Sequence, residues 1–206
     1  MTAMSNQLQG PGPREDHELV HACQKGDVDA FEVLVKRYEK RMFNTAYRMT
    51  SDYEEAADVV QDGFLAAYRA IGKFRGDASF STWLTAIIVN HAKNRLKQMH
   101  THQRHEGVSI DDPVETPDGP VPFQPASSEA SAEEKLRRKE VQEKVQDCVK
   151  GLDEEHRAVL VLRDIQGFSY DEIRDILKIP DGTVKSRLFR ARDAMKHCLK
   201  GKLGDL

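Results

Sequence analysis

The side chains best suited to chemistry lie near the carboxyl end of the chain, where hydroxyl, cationic and aromatic groups recur at helical spacing. At about 100° per residue, Lys185, Ser186, Phe189, Arg190 and Asp193 share one side of a predicted helix. Arginine can grip guanine edges, serine can donate or accept, and an apolar group can contact a thymine methyl. This side therefore favours reading the major groove of duplex DNA.

The opposite side of the same helix is apolar, and the helix as a whole is basic. From Thr183 to Lys202 the chain has seven Lys or Arg and one acid, which favours contacts with phosphates. The alternative is an ordinary basic surface helix that closes a small bundle. The apolar side predicts a core and consists of Val184, Leu188, Ala191, Met195 and Leu199.

The residues before this helix predict a helix-turn-helix. Ser169 and Glu172 have the spacing of a capping box that opens a short helix. The tripeptide 180–182, Pro-Asp-Gly, predicts a turn, and Thr183 is the expected cap of the second helix. Two helices joined by a tight turn that contains glycine are typical of this motif.

A second set of candidate side chains lies on a helix predicted from about Ser81 to Met99. Amides can read base edges, an indole can stack on a base and lysines can hold phosphates, so the set suits single-stranded DNA. The alternative is that Trp83 belongs to the core and the asparagines are only solvated. The short polar loop 74–79 before the helix favours a pocket for an unstacked base. The candidates are Trp83, Asn90, Lys93, Asn94 and Lys97.

The preceding helix predicts a protein-docking surface. Ser51 and Glu54 predict its capping box, and an apolar stripe follows. Asp58, Gln61, Asp62 and Leu65 lie at i, i+3, i+4 and i+7 on a flank of that stripe. A leucine among polar groups indicates a surface that binds another protein.

Composition and periodicity predict an all-α protein with two small helical domains. The chain has 206 residues and a formal charge of −3, with basic and acidic segments separated. No run approaches the roughly 18 apolar residues that a membrane span needs, and the amino terminus does not resemble a signal peptide. The predicted organisation is a disordered tail 1–13, a first domain 14–100, a linker 101–131 and a second domain 132–206.

The boundaries of the first helices are also predicted. The first helix should run from about Asp16 to Lys25 and stop at Gly26, and Asp27 should cap the next.

The predicted linker is acidic and rich in proline. Between Gly107 and Glu134 it has seven acids and no Lys or Arg. Such a segment would be repelled by DNA, so it either lies in a basic groove of a partner or is a plain solubilising spacer. About thirty residues can span at most ~100 Å.

Cysteine and histidine spacing predicts no metal site, no cofactor and no disulfide. Cys23, Cys148 and Cys198 are far apart and lack a C-x-x-C pair, which predicts three reduced thiols. His100, His102 and His105 have no carboxylate or cysteine at ligand spacing, which favours a solvated helix tail.

Four motifs in one order resemble the extracytoplasmic-function sigma factors, group IV of the sigma-70 family, and their envelope-stress branch in particular. The motifs are DxxQDxF at 58–64, KFRGDASFSTWL at 73–84, VNHAKN at 89–94 and LRDIQGFSYDEIRDILKIPDGTVKSRLFRAR at 162–192. The resemblance covers roughly 16–99 and 132–199, with the linker unmatched in detail.

This resemblance implies an alternative sigma factor that binds core RNA polymerase and directs promoter-specific initiation for a stress regulon. The residues implied for core polymerase are Asp58, Gln61, Asp62 and Leu65. Those implied for recognising and opening the minus-10 element are Arg75, Asp77, Ser79, Ser81, Trp83, Asn90, Lys93, Asn94 and Lys97. Those implied for duplex minus-35 DNA are Thr183, Lys185, Ser186, Arg187, Phe189 and Arg190.

The lack of a membrane span and of a signal peptide predicts a cytoplasmic protein. The resemblance implies a separate anti-sigma factor, in this family often anchored in a membrane. The anti-sigma factor is expected because no long inhibitory region precedes the first domain.

Two other classes of protein are weighed against this one. A helix-turn-helix regulator that binds duplex DNA without polymerase explains the second domain, but gives no reason for the first. A metal-dependent hydrolase would have to use Asp52, Glu54, Glu55 and Asp58. These acids follow a helix start, where negative charge is favoured anyway, and no nucleophile or phosphate loop accompanies them, so we expect no enzyme activity.

Overall fold

A computed structural model describes residues 13–106 and 132–204, and all regular structure in these ranges is helical. The first range contains α1 (Pro13–Gln24), α2 (Val28–Thr50), α3 (Tyr53–Ala70), a 3₁₀ turn (Ile71–Lys73) and α4 (Phe80–Glu106). The second contains α5 (Ala132–Lys150), α6 (Glu154–Leu160), a π-helical continuation (Val161–Ile165), α7 (Tyr170–Leu177) and α8 (Asp181–Leu203). The all-α prediction is confirmed. The predicted tail 1–12 and most of the predicted linker, 107–131, lie outside the described residues.

Two of the predicted helix starts are confirmed in detail. Asp27 caps α2, and its carboxylate accepts a hydrogen bond from the Ala30 N–H at 3.1 Å. The capping box of α7 is complete, because Ser169 and Glu172 each bond the backbone N–H of the other. Both caps satisfy N–H groups that have no partner inside the helix.

Two other predicted caps are wrong. Ser51 ends α2 in a left-handed conformation (φ 61°), and Asp52 caps α3 instead by accepting from the Glu55 N–H at 2.9 Å. Thr183 lies inside the first turn of α8, which begins at Asp181. The extended backbone of Pro180 forms that helix start, since its carbonyl accepts from the Val184 N–H. Proline suits a helix start because its missing N–H is not needed there.

The fourth helix is longer than predicted at both ends. It begins at Phe80 and continues to Glu106, beyond the end expected near Met99. Charged and polar residues after Met99 give no apolar stripe, but they are adequate helix formers and allow the helix to continue.

Each domain has its own buried side chains. In the first, α2, α3 and α4 pack on one another, with α1 against α2, around fully buried Leu34, Met42 and Ile88. In the second, α6 and α7 pack against α8 around Leu162 and Leu188.

Polar contacts join the two domains, and partly or fully buried arginines make most of them. Arg41 of α2 donates to the Gln166 carbonyl at 3.0 Å and lies 4.7 Å from the Phe168 ring centroid. Arg157 of α6 donates to the Met49 carbonyl at 2.5 Å. The interface is therefore built from charged groups on backbone carbonyls as well as from apolar packing.

The prediction that all three cysteines are free thiols is wrong for two of them. Cys148 of α5 and Cys198 of α8 form a disulfide with their Cα atoms 5.7 Å apart, although fifty residues separate them in sequence. The chain returns so that the last turns of α5 and α8 are neighbours, and spacing along the sequence does not report this. Cys23 is free and buried.

Within 13–106 and 132–204, no helix is long and apolar enough to cross a membrane. In the same ranges, no three His, Cys, Asp or Glu side chains converge as a metal site would require.

Candidate nucleic-acid interface and docking surface

The DNA-reading face predicted on α8 is present and open. Lys185, Ser186, Phe189 and Arg190 are all exposed. Phe189 is 74% exposed, more than any other large hydrophobic side chain among the described residues. Leaving an aromatic ring in water has no structural benefit, so this face is suited to an incoming ligand.

Local contacts hold the polar side chains of this face in place. The Lys185 ammonium lies 2.7 Å from the Asp181 carboxylate one turn earlier, and that carboxylate raises the lysine's pKa. The Ser186 hydroxyl donates to the Thr183 carbonyl at 3.1 Å. Both contacts are weak and exposed, so a nucleic acid can replace them.

Two residues of the predicted set are not brought to this face. Arg187 turns back toward α6, where its guanidinium contacts Glu155 at 2.6 Å and only 20% of the side chain is exposed. Thr183 is half-buried. Helical spacing explains Arg187, since it precedes buried Leu188 and is rotated about 100° from Ser186.

The rest of α8 anchors the face. Val184, Leu188 and Ala191 are buried against the domain. On its flank, Arg192 makes two hydrogen bonds to the Asp164 carboxylate, at 2.9 and 2.6 Å. The reading side chains therefore project from a helix whose opposite side is fixed.

A second polar face lies on α4. Asn90, Asn94 and Lys97 are exposed and Lys93 is half-exposed. A cleft of about 560 Å³ is lined by Lys93, Asn94, Lys97, His100, Thr101 and Glu154. Its cations suit phosphates, and its one acid, Glu154, comes from the second domain.

Trp83 belongs partly to the core of the first domain. Its ring lies 5.1 Å from Phe74 and 5.7 Å from Phe80, centroid to centroid, and the side chain is partly buried. The amide of Gln24, at the end of α1, donates to the Phe74 carbonyl at 2.9 Å and fixes the start of the loop that precedes α4. A base could reach only the outer part of this indole.

The loop residues before Trp83 divide into exposed and structural groups. Arg75 and Asp77 are exposed on either side of Gly76, whose φ of +78° favours glycine. Ser79 starts α4, because its hydroxyl accepts from the Thr82 N–H at 3.1 Å. The Ser81 hydroxyl accepts from Arg41 at 3.2 Å. Arg75 and Asp77 are therefore free to meet a ligand, whereas the hydroxyl of Ser79, although exposed, is engaged at the start of α4.

The predicted docking flank of α3 is exposed throughout, at Asp58, Gln61, Asp62 and Leu65. Leu65 is 46% exposed. Arg95 of α4 borders the flank: it makes a tight ion pair with Glu55 and a longer one, 3.8 Å, with Asp58. The Glu55 carboxylate raises the pKa of Arg95.

Sequence reasoning missed Arg41, Arg95 and Glu172. Glu172 of the α7 cap also accepts from the Thr82 hydroxyl at 3.2 Å, so it links the helix-turn-helix to the start of α4. Burial raises the pKa of Glu172, but hydrogen bonds from Ser169 and Thr82 outweigh it and leave the pKa below its ordinary value. Burial lowers the pKa of Arg41. Arg41 and Glu172 have partners in the other domain, and Arg95 of α4 has its partner on α3, so no local spacing signals these roles.

Comparison with known proteins gives matches over both domains. The profile of Sigma-70 region 2 matches residues 34–101, and that of Sigma-70 region 4 matches 142–195. The chain is 37% identical to the RNA polymerase sigma-H factor of Pseudomonas aeruginosa, over 90% of this chain and 94% of that protein. It is 38% identical to the ECF RNA polymerase sigma-E factor of Escherichia coli K12, over 87% and 92% respectively.

Solved structures share the fold. The structure of CnrH in complex with the cytosolic domain of CnrY superimposes with a TM-score of 0.65 and 24% identity, over 91% of this chain and 98% of that one. A co-crystal structure of the sigma factor RpoE with the anti-sigma factor NepR from Bartonella quintana gives a TM-score of 0.60 at 24% identity, over 82% and 96%.

Proposed function

The chain belongs to the extracytoplasmic-function sigma factors of the sigma-70 family, and from this premise we propose which of its surfaces carry out each task. It is an alternative sigma factor that directs RNA polymerase to promoters. The alternative of a regulator that works without polymerase is not favoured, because the first domain also matches a sigma-factor region over residues 34–101.

The first task is binding to core RNA polymerase, which we assign to the exposed α3 flank of Asp58, Gln61, Asp62 and Leu65. A half-exposed leucine between carboxylates supports a docking role, since such a patch combines apolar contact area with charge that selects a basic partner. Arg95 holds Glu55 beside the flank and sets the position of its charges.

The second task is opening the minus-10 element, which we assign to the α4 face and the loop before it. Asn90 and Asn94 are exposed for base edges, while Lys93 and Lys97 line a cleft suited to the backbone. Arg75 and Asp77 on the loop, with the outer part of Trp83, complete the surface. Ser79 and Ser81 support it by fixing the start of α4.

The third task is reading duplex minus-35 DNA, which we assign to Lys185, Ser186, Phe189 and Arg190. The single observation that carries this assignment is Phe189, 74% exposed between a hydroxyl and a guanidinium on an anchored helix. Arg187 and Thr183 do not belong to this face; they support α8 within its own domain.

The cellular location and a further partner of the protein are proposed from the same premise. We place it in the cytoplasm, where core polymerase and promoter DNA are found. A sigma factor of the same fold was solved with its anti-sigma partner NepR, and we propose that an anti-sigma factor, in a membrane-anchored form, also controls this chain.

Reconstitution tests the proposal. The purified chain, added to sigma-free core polymerase and genomic DNA, should produce transcripts whose start sites share two upstream elements. Random initiation, or initiation no different from core alone, would contradict the function.

A double substitution on α4 tests whether this face opens the minus-10 element. Replacing Asn90 and Asn94 together by Ala should abolish transcription from duplex promoters and largely spare templates with a preformed minus-10 bubble, because the bubble removes the few kcal/mol needed to unpair and unstack the bases. Both residues are exposed, so the fold should persist. Equal loss on both templates would show that these amides do not act in opening.

A further inference from the structure

The disulfide between Cys148 and Cys198 has no part in the three tasks above. Cys148 lies in the last turns of α5 and is 2% exposed, whereas Cys198 lies near the end of α8 and is partly exposed. The bond therefore has one accessible and one protected sulfur.

Noncovalent packing between the two helices is incomplete beside this bond. A groove of about 380 Å³ runs between them, with Val145 and Val149 on the α5 side and Met195 and Leu199 on the α8 side. The nearest polar link is the exposed ion pair of Lys202 and Asp147, at 2.7 Å. An exposed ion pair stabilises little, so the disulfide and the apolar contacts of Val149 and Met195 hold these helix ends together.

The third cysteine does not compete for this chemistry. Cys23 is buried in the first domain, and burial raises its thiol pKa, so it remains a thiol with low reactivity. Disulfides in the cytosol of mesophiles are rare and are mostly catalytic or redox-sensing. A redox role for this disulfide rests on the proposed function in one respect, because it requires the cytoplasmic location.

We propose that Cys148 and Cys198 form a reversible redox site that sets the stability of the DNA-reading domain. The oxidised form ties the end of α8 to α5 covalently, and the reduced form leaves these ends held by noncovalent contacts such as the packing beside the groove and the exposed pair of Lys202 and Asp147. Since the reading side chains project from the same α8, a loosened helix end reduces the fraction of molecules with a competent reading face.

The chemistry needs a hydroperoxide as oxidant. The Cys198 thiolate attacks one oxygen of the peroxide; the O–O bond breaks, the other oxygen leaves as water or alcohol after protonation, and Cys198 becomes a sulfenic acid. The Cys148 thiolate then attacks this sulfur, the S–O bond breaks and water leaves. Two thiols lose two electrons and the peroxide gains them. A dithiol or glutathione reverses the bond by thiol–disulfide exchange.

The first experiment follows the thiols in the full-length Cys23→Ser protein by iodoacetamide labelling and mass spectrometry. Hydrogen peroxide should convert a chain that takes up two labels into a monomer that takes up none, and excess reduced glutathione should restore both. Labelling that persists after peroxide, or a disulfide between two chains, would overturn the pairing. A bond that resists glutathione would overturn its reversibility.

The second experiment measures thermal unfolding by far-UV circular dichroism, with the single Trp83 reporting the first domain separately. The second domain should melt roughly 10 °C or more higher when oxidised than when reduced. The double variant Cys148→Ser with Cys198→Ser should melt like the reduced protein in both buffers. Equal melting of oxidised and reduced protein would contradict the proposal. Neither experiment uses polymerase or promoter DNA, so their outcome is separate from that of the proposed function.

Discussion

Two aromatic side chains show how burial separates roles that residue type alone leaves open. Phe189 is 74% exposed and is flanked by polar groups on α8. Trp83 packs between Phe74 and Phe80 at the start of α4. Removing Phe189 should therefore affect DNA binding alone, whereas removing Trp83 would also remove core contacts and confuse stability with function.

Arg190 should contribute sequence preference within the minus-35 element. Replacing it by Ala should weaken binding by about 1–3 kcal/mol and relax the preference at one base pair, because arginine contacts guanine through two hydrogen bonds. A base-substitution scan measures this. The matched control is Lys196→Ala, an exposed cation farther along α8 that should weaken all sequences equally or not at all. An unchanged preference profile for Arg190→Ala would contradict the proposed face.

Asp58 should matter for core polymerase and not for folding. Its carboxylate is exposed and has only a long contact, 3.8 Å, with Arg95, so Asp58→Ala should change the free energy of unfolding by less than ~0.5 kcal/mol. Pull-down of core polymerase should nevertheless weaken. Glu140→Ala, an exposed acid on α5, is the control and should bind normally. Equal recovery of core by both variants would show that the α3 flank is not the docking surface.

At the scale of elements, the docking helix α3 and the melting helix α4 approach each other closely at Gly63. A Cβ atom at Gly63 of α3 would lie 2.3 Å from Cδ1 of Ile88 on α4. Ile88 is fully buried, so this methyl group has little room to move. Glycine is thus required by packing between helices and not by its backbone conformation.

This contact predicts a compensating pair of substitutions. Gly63→Ala should destabilise the first domain by about 1–3 kcal/mol through overpacking. Adding Ile88→Val removes the Cδ1 atom that clashes, so the double variant should be more stable than Gly63→Ala alone, although Ile88→Val by itself costs about 0.5–1.5 kcal/mol. Denaturant unfolding of the four proteins in a double-mutant cycle measures the coupling. Strictly additive effects would contradict the close approach.

At the scale of the whole molecule, the contact between domains is incompatible with simultaneous promoter contacts. The minus-10 and minus-35 elements are about 25 base pairs, or ~85 Å, apart on duplex DNA. Here Thr82 at the start of α4 bonds Glu172 of the helix-turn-helix directly, and Glu154 lines the lysine cleft of the other domain. The domains must separate to act, and the 25 residues between α4 and α5 can span about 85 Å when extended, which is enough chain to allow it.

The interface combines apolar packing with polar groups that water can solvate once the domains separate. Among the described residues, the buried side-chain nitrogens without a hydrogen-bond partner belong to Arg48, Arg157 and Gln166. All three also bond across the two domains. A buried donor without a partner is destabilising, and opening the interface lets water satisfy it.

Weakening this interface should open the free protein. Arg41→Ala removes bonds to Gln166 and Ser81, so small-angle scattering should show a larger radius of gyration and core polymerase should bind at least as tightly. Arg174→Ala is the matched control, because Arg174 pairs only with acids of its own helix. Unchanged scattering for Arg41→Ala would contradict a role for this arginine in closing the molecule.

Acidification should also open the contact between the two domains. The pKa of Glu172 is lowered in the folded protein, so its stabilisation is complete above the ordinary pKa of a glutamate, about 4.3, and is lost as the pH falls through the lowered value. On acidification the closed form of the wild type should therefore open as Glu172 is protonated. The Glu172→Gln variant should lack this pH-dependent step. Scattering across the acid range measures it.

The sequence by itself determined the all-α class, the two domains, the capping box of Ser169 and Glu172 and the exposed reading face on α8. These features depend on helical periodicity and local capping, which act over a few residues and are therefore visible in a linear pattern. The same reasoning predicted Ser51 and Thr183 as caps. In the structure their neighbours take these positions: Asp52 caps α3, and Pro180 precedes the first residue of α8.

Only the tertiary structure decided which distant residues meet. It paired Cys148 with Cys198, turned Arg187 toward Glu155, and placed Arg41 and Glu172 between the domains. Each of these contacts joins elements that are brought together by packing of apolar faces, and packing places side chains by distance in space and not by spacing along the chain. The exposed faces that we propose for DNA could thus be predicted from local pattern, whereas the contacts that close the molecule and tie α8 to α5 could not.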